Sequence, residues 1–221
     1  LLIFSLINVL GYTTNLEIIF MLNTLPDALA RFFLGFSQIY VVLGLIAIGY
    51  VFLNRSVFYH STLITILAVI TNVALKVTFQ IPLSSTLNKT GFAFPSGHMQ
   101  TASVFYLWLL FNINSPITRF GSPIILTGIA YGLMHFQYHN FLDILGGLIF
   151  AQLLIVAYQL LLSAKLQAKL PWILMAYATL LLIYIAYRFA IPPHAWQAYG
   201  LLIGLILLYP ICKHDISVRY M

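Results

Sequence analysis

Charge and cysteine are what this chain has least of. Charged residues make up 6% of its 221 positions, and only 4 residues are acidic. A soluble globular domain carries roughly 25% charged residues, so an aqueous surface for the whole chain is excluded. Cys212 is the single cysteine, which rules out an intrachain disulfide and any cysteine cluster for a metal. Strict polar–apolar alternation is also missing: Val41-Val42-Leu43-Gly44-Leu45-Ile46-Ala47-Ile48 is apolar throughout, which excludes a transmembrane barrel. No internal repeat, low-complexity tract or soluble domain interrupts the pattern. What is present is hydrophobic side chains at 62% and a mean hydropathy of +1.00, the composition of a protein that lives in lipid.

A bilayer core about 30 Å thick takes a helix of roughly 20 apolar residues, and lipid leaves helices as the remaining solution for the backbone. The expected architecture is therefore all-α, a polytopic transmembrane helical bundle of about six to eight spans in a single domain over 1–221. Spans are expected near 36–53, 59–76, 98–112, 123–138, 141–162, 171–187 and 195–211. Breaks are expected at Asn54-Arg55-Ser56, Pro82 to Gly97, Ser115-Pro116, Gly121-Ser122-Pro123 and Ile191-Pro192-Pro193. The apolar stretch Leu1–Leu10 lacks a basic flank and a small-residue cleavage site, so a membrane helix is expected there rather than a signal peptide. Asn15 to Phe33, with Glu17, Asp27 and Arg31 among apolar residues, reads as an interfacial helix or helix pair.

Alternating the spans sorts the ten basic residues. Arg55, Arg119, Lys165, Lys169, Lys213 and Arg219 fall on one face; Arg31, Lys76, Lys89 and Arg188 fall on the other. The richer face is expected to be cytoplasmic. The net charge of +6 is thus topological, and a nucleic-acid partner is not implied.

Polar chemistry concentrates in two places. Phe94-Pro95-Ser96-Gly97-His98 stands where the polar loop 84–91 gives way to an apolar run. Ser96 can cap the helix that follows, backbone N–H groups around Gly97 stay unpaired, and such an end binds anions. His98 stands at its edge as a proton donor. An ordinary helix start would use the same Pro and Ser. The second place is His139-Asn140-Phe141-Leu142-Asp143, where imidazole and carboxylate sit four apart on one helical face. Asp143 can hold one ring nitrogen and leave the other unprotonated, as a nucleophilic histidine requires. A paired core histidine would look the same, but the cost of burying ions in lipid favours function. Lys76 ends the helix that enters the polar loop, where a lysine can simply snorkel, yet it shares a membrane face with both histidines. Convergence of sequence-distant polar groups at one depth is the stronger signal.

These residues resemble the type-2 phosphatidic acid phosphatase superfamily of membrane lipid phosphatases. Its pattern is a lysine-bearing first motif, a Pro-Ser-Gly-His second motif heading the next helix, and a third motif ending His-x-x-x-Asp. The resemblance covers about 59–162 and implies a general acid at His98, a nucleophile at His139 that forms a phosphohistidine, and an orienting Asp143. It also implies phosphate-binding roles for Lys76, Ser96 and Gly97. Two departures stand out. The first-motif arginine, seven residues after the lysine, is replaced by Leu83, and the third-motif Ser-Arg is replaced by Gly132-Leu133. Lys89 and His135 are candidates to supply the missing positive charge, although lysine lacks the bidentate fork of arginine. Sphingomyelin-synthase-like headgroup transferases also use a His-His-Asp set without those arginines.

The expected function is a lipid phosphatase or phosphotransferase without metal or other cofactor. It would act on a lipid phosphate from the bilayer at the non-cytoplasmic face, in a bacterium that of the inner membrane. A headgroup transferase, and a non-catalytic lipid-phosphate binding or transport protein, are the alternatives. Proton-relay transport lacks the paired repeats it would lead one to expect.

Overall fold

The computed structural model describes residues 24–83, 91–164, 166 and 169–212, with side chains placed as far as residue 207. The stretch Leu1–Leu10, the polar run 84–90 with Lys89, and the basic residues Lys165, Lys213 and Arg219 lie outside the described residues. Among the described residues there are eight helices and no strand. They are α1 Thr24–Gly35, then α2 Ile39–Phe52, α3 Arg55–Phe79, α4 Gly97–Asn112, α5 Pro116–His135, α6 Phe141–Ser163, α7 Leu170–Arg188 and α8 Pro193–Cys212. The all-α membrane bundle expected from composition is what is found.

Local chemistry sets four of the helix starts. Asn54, Ser96, Ser115 and Asn140 each accept a backbone N–H of the helix they begin, supplying one of the acceptors that a helix start lacks. Pro116 fits the first turn of α5, where its missing N–H costs nothing. The expected break at Gly121-Ser122-Pro123 is not there: α5 runs through it, with Pro123 inside the helix. Ser115 and Pro116 have already started the helix, and inside a bilayer losing one ladder bond at Pro123 is cheaper than unwinding a whole turn.

Among the described residues three helices, α3, α6 and α7, are long and apolar enough to cross a membrane, and α1 with α2, bent by 53°, forms a fourth candidate. Their outer faces carry large apolar side chains, such as Leu153 and Leu180 at 58% and 67% exposure. Such a surface is tolerable only in lipid, and the chain is an integral membrane protein.

α3 is the hub and packs on α2, α4, α6, α7 and α8, while α4 packs on α3, α5 and α6. Hydroxyl pairs stitch the bundle. Thr71 meets Tyr177 and Thr78 meets Tyr184, each at 2.9 Å, a matching advance that makes α3 and α7 parallel. Thr179 meets Tyr199 at 2.8 Å. At the other end His60 bonds Tyr158 at 2.7 Å, and Trp108 Nε1 donates to the Val57 carbonyl at 2.9 Å. α1 is strapped to the end of α5. His135 bonds Asp27 at 2.6 Å, Arg31 lies 5.0 Å above the Phe136 ring, and a side chain at Gly132 would meet the Ala30 carbonyl at 2.8 Å. Helix alternation thus sends Arg55, Arg119 and Lys169 to one end, and Arg31, Lys76 and Arg188 to the other.

Candidate active site

The site forms where α3 and α5 end and α4 and α6 begin. The segments 81–83 and 91–93 are clasped together here: Ala93 N–H donates to the Ile81 carbonyl at 2.7 Å and Leu83 N–H to that of Gly91 at 3.1 Å. The chain then turns through a cis Phe94–Pro95 bond into α4. Ser96, fully buried, caps that helix by accepting from Met99 N–H at 3.4 Å. The N–H groups of Gly97 and His98 fall in the first turn, where a helix offers no acceptor of its own and the dipole favours an anion. His98 remains accessible.

α6 is pressed against this turn. Ser96 N–H donates to the Asp143 carbonyl at 2.9 Å, so the two motifs are joined through their backbones. The approach depends on Gly147, where a Cβ would lie 2.8 Å from the Ser96 carbonyl and 3.1 Å from Gln100 N. Neither backbone atom can move aside cheaply. Gly146 likewise makes room for the Phe94 ring.

At the head of α6, Asn140 and Asp143 form a capping box. Asn140 Oδ1 accepts Asp143 N–H at 2.8 Å, and Asp143 Oδ2 accepts Asn140 N–H at 3.2 Å. The same Oδ2 faces His139 Nδ1 at 3.4 Å, with the two side chains 9% and 4% exposed. Asp143 therefore marks Nδ1 as the protonated nitrogen and leaves Nε2 as a free lone pair. Burial, and after it the Lys76 cation, push the His139 imidazole below its ordinary value of 6.5, with Asp143 pulling the other way. The balance favours the neutral form of the ring.

Lys76, at the last turn of α3, interacts electrostatically with Asp143, His98 and His139, and His98 in turn with His139. The structure accordingly brings Lys76, Ser96, Gly97, His98, His139 and Asp143 to one end of the bundle. Lys89 lies outside the described residues. His135 is held by Asp27 and stacks on Tyr131 at 5.4 Å, so it serves the α1–α5 contact.

Sequence reasoning missed three residues. His194, in the first turn of α8, is within electrostatic reach of Lys76; with only a Pro-Pro pair before it, nothing in the sequence pointed to it. Asn72 and Gln100 are buried polar residues one helical turn inward from Lys76 and Ser96. That i, i+4 spacing was the available signal.

A buried His–Asp pair thus faces a capped helix start within an all-helical membrane bundle. The PAP2 superfamily family model matches residues 58–167, and the chain belongs to that superfamily. No curated protein and no solved structure matches it.

Proposed function

We propose that this chain is a membrane lipid phosphatase or phosphotransferase working through a phosphohistidine. The observation that carries the reading is the His139–Asp143 pair, set against the start of α4 by the Ser96–Asp143 backbone bond. The substrate phosphate rests on the N–H groups of Gly97 and His98, with Lys76 beside it. His139 Nε2 attacks phosphorus, the N–P bond forms as the P–O bond to the lipid breaks, and His98 gives its proton to the departing oxygen. Water or an acceptor alcohol then attacks the phosphohistidine, loses its proton to His98 and frees Nε2. Incubating the purified protein with a panel of phosphate lipids, and measuring free phosphate against transferred headgroup, tests the reading. No turnover on any of them overturns it.

His98→Ala should slow breakdown of lipid phosphates by about 10²–10⁴-fold while largely sparing activated aryl phosphates, because a general acid matters only when the leaving oxygen needs a proton. Equal losses on both would remove His98 from that role.

The expected alternation of spans along the sequence, with six basic residues opposite the site and four beside it, supports a site on the non-cytoplasmic face. In a Cys212→Ser background, cysteine at Asn88 should react with an impermeant thiol reagent on intact cells and cysteine at Gln167 should not. The reverse pattern would put the chemistry inside.

The headgroup-transferase reading draws support from Leu83 and Leu133 at the two arginine places of the family pattern. A site with fewer cations suits a monoanionic diester better than a dianionic monoester.

A further inference from the structure

Asn72 is a buried amide in the middle of a helix that lipid and packing would otherwise fill with apolar side chains. Its Nδ2 donates to the Pro95 carbonyl at 3.2 Å and to Gln100 Oε1 at 2.8 Å. Its Oδ1 lies against Gly97, where an added Cβ would be 2.9 Å away. One side chain therefore touches three points of the turn that begins α4: the carbonyl before Ser96, the glycine after it, and the residue one turn on.

Asn72 also precedes Lys76 by one turn of α3, and Gln100 follows Ser96 by one turn of α4, its N–H donating to the Ser96 carbonyl at 2.9 Å. The lysine and the phosphate-binding turn come from different helices, and the described residues show no hydrogen bond between Lys76 and that turn. The Asn72–Gln100 bridge joins the helical turn next to Lys76 to the one next to Ser96.

Stability alone does not account for the bridge. Gln100 is 0% exposed and its Nε2 has no partner among the described residues, a cost that an apolar pair of the same size would avoid. Interhelical hydrogen bonds in membranes add little on average.

The geometry points to Asn72 and Gln100 as positioning residues that set the Pro95–His98 turn against Lys76, and so fix the span across which the transferring phosphoryl group is held. The inference rests on the phosphotransfer reading above. Misplacing a binding group by about 1 Å can cost roughly 10²-fold in rate, so the pair acts on kcat while leaving the lipid-facing contacts alone.

The test is the double variant Asn72→Leu/Gln100→Met, which keeps volume and removes the bridge. It should melt no lower than wild type, lose about 10²-fold in kcat on lipid and aryl phosphates alike with KM little changed, and bind orthovanadate more weakly by a similar factor. The exchange variant Asn72→Gln/Gln100→Asn rebuilds an amide pair and should recover at least about tenfold over Asn72→Gln alone. A folded double variant with full turnover, or one that loses turnover with unchanged vanadate affinity, overturns the inference. If the apolar pair does not fold, the exchange decides: no recovery over the single variant overturns it. A wild-type chain without turnover would instead overturn the phosphotransfer reading, and this inference with it.

Discussion

His139→Ala should abolish phosphoryl transfer while leaving the protein folded. Removing a covalent nucleophile costs on the order of 10⁶-fold in kcat where the chemistry runs through it. The fold should survive because the capping box does not need the imidazole: Asn140 N–H still holds Asp143 Oδ2 at 3.2 Å, and Asn140 Oδ1 still accepts from Asp143 N–H. Rapid quenching of the wild type on labelled substrate should trap phosphate in an acid-labile linkage at His139, and the variant should trap none. Label persisting in the variant would assign the nucleophile elsewhere. The pH profile follows from the same ring. In the proposed mechanism the neutral imidazole is the nucleophile, and burial with Lys76 lowers its pKa from 6.5, so it stays competent as pH falls below that value. The acid limb of kcat/KM should therefore lie below 6.5, and removing the cation with Lys76→Met should move it upward.

The chemistry-bearing motifs could be read from the sequence because each is local. Pro95, Ser96, Gly97 and His98 are consecutive, and His139 stands just before the N-cap of α6, four residues ahead of Asp143, so short-range chain geometry brings the members of each set together. The membrane bundle was legible for a similar reason, since apolar run length is a one-dimensional property. What escaped was whatever depends on two helices meeting. The Asn72–Gln100 bridge joins residues 28 apart, the Asp27–His135 contact joins residues 108 apart, and the reach of His194 to Lys76 needs α8 laid antiparallel on α3. His135 shows the consequence. Its place one turn before His139 made it a candidate phosphate ligand, and only the position of α1 reveals that its ring is already bonded. The misplaced break at Pro123 has a different origin. Proline read in isolation ends a helix, whereas in lipid the alternatives to staying helical are worse.

The second large effect is expected at Leu133. This residue stands where the family pattern has its third-motif arginine, yet it is 1% exposed and part of the hydrophobic core. Its carbonyl accepts the N–H groups of Tyr138 and His139 at 2.9 and 3.3 Å, so it forms the floor of the turn that carries His139. Leu133→Arg would bury a guanidinium there. Asp143 is the nearest carboxylate along the chain, and it is already engaged by Asn140 N–H and facing His139. An unpaired arginine at such depth costs about 2.5–3.5 kcal/mol, a large fraction of a marginal stability. The expected result is a sharp fall in folded yield and melting temperature, with no gain on monoesters. A folded Leu133→Arg protein that turns over monoesters faster, and gains more thermal protection from orthovanadate than wild type, would place the side chain in the phosphate site after all. The wild type then carries the complementary expectation. With Leu83 and Leu133 leaving Lys76 without a guanidinium at either place, activity on monoanionic diesters should rival that on dianionic monoesters. Cleavage of monoesters alone, strongly impaired by Lys89→Ala, would show that Lys89 replaces the clamp and would sink the transferase alternative.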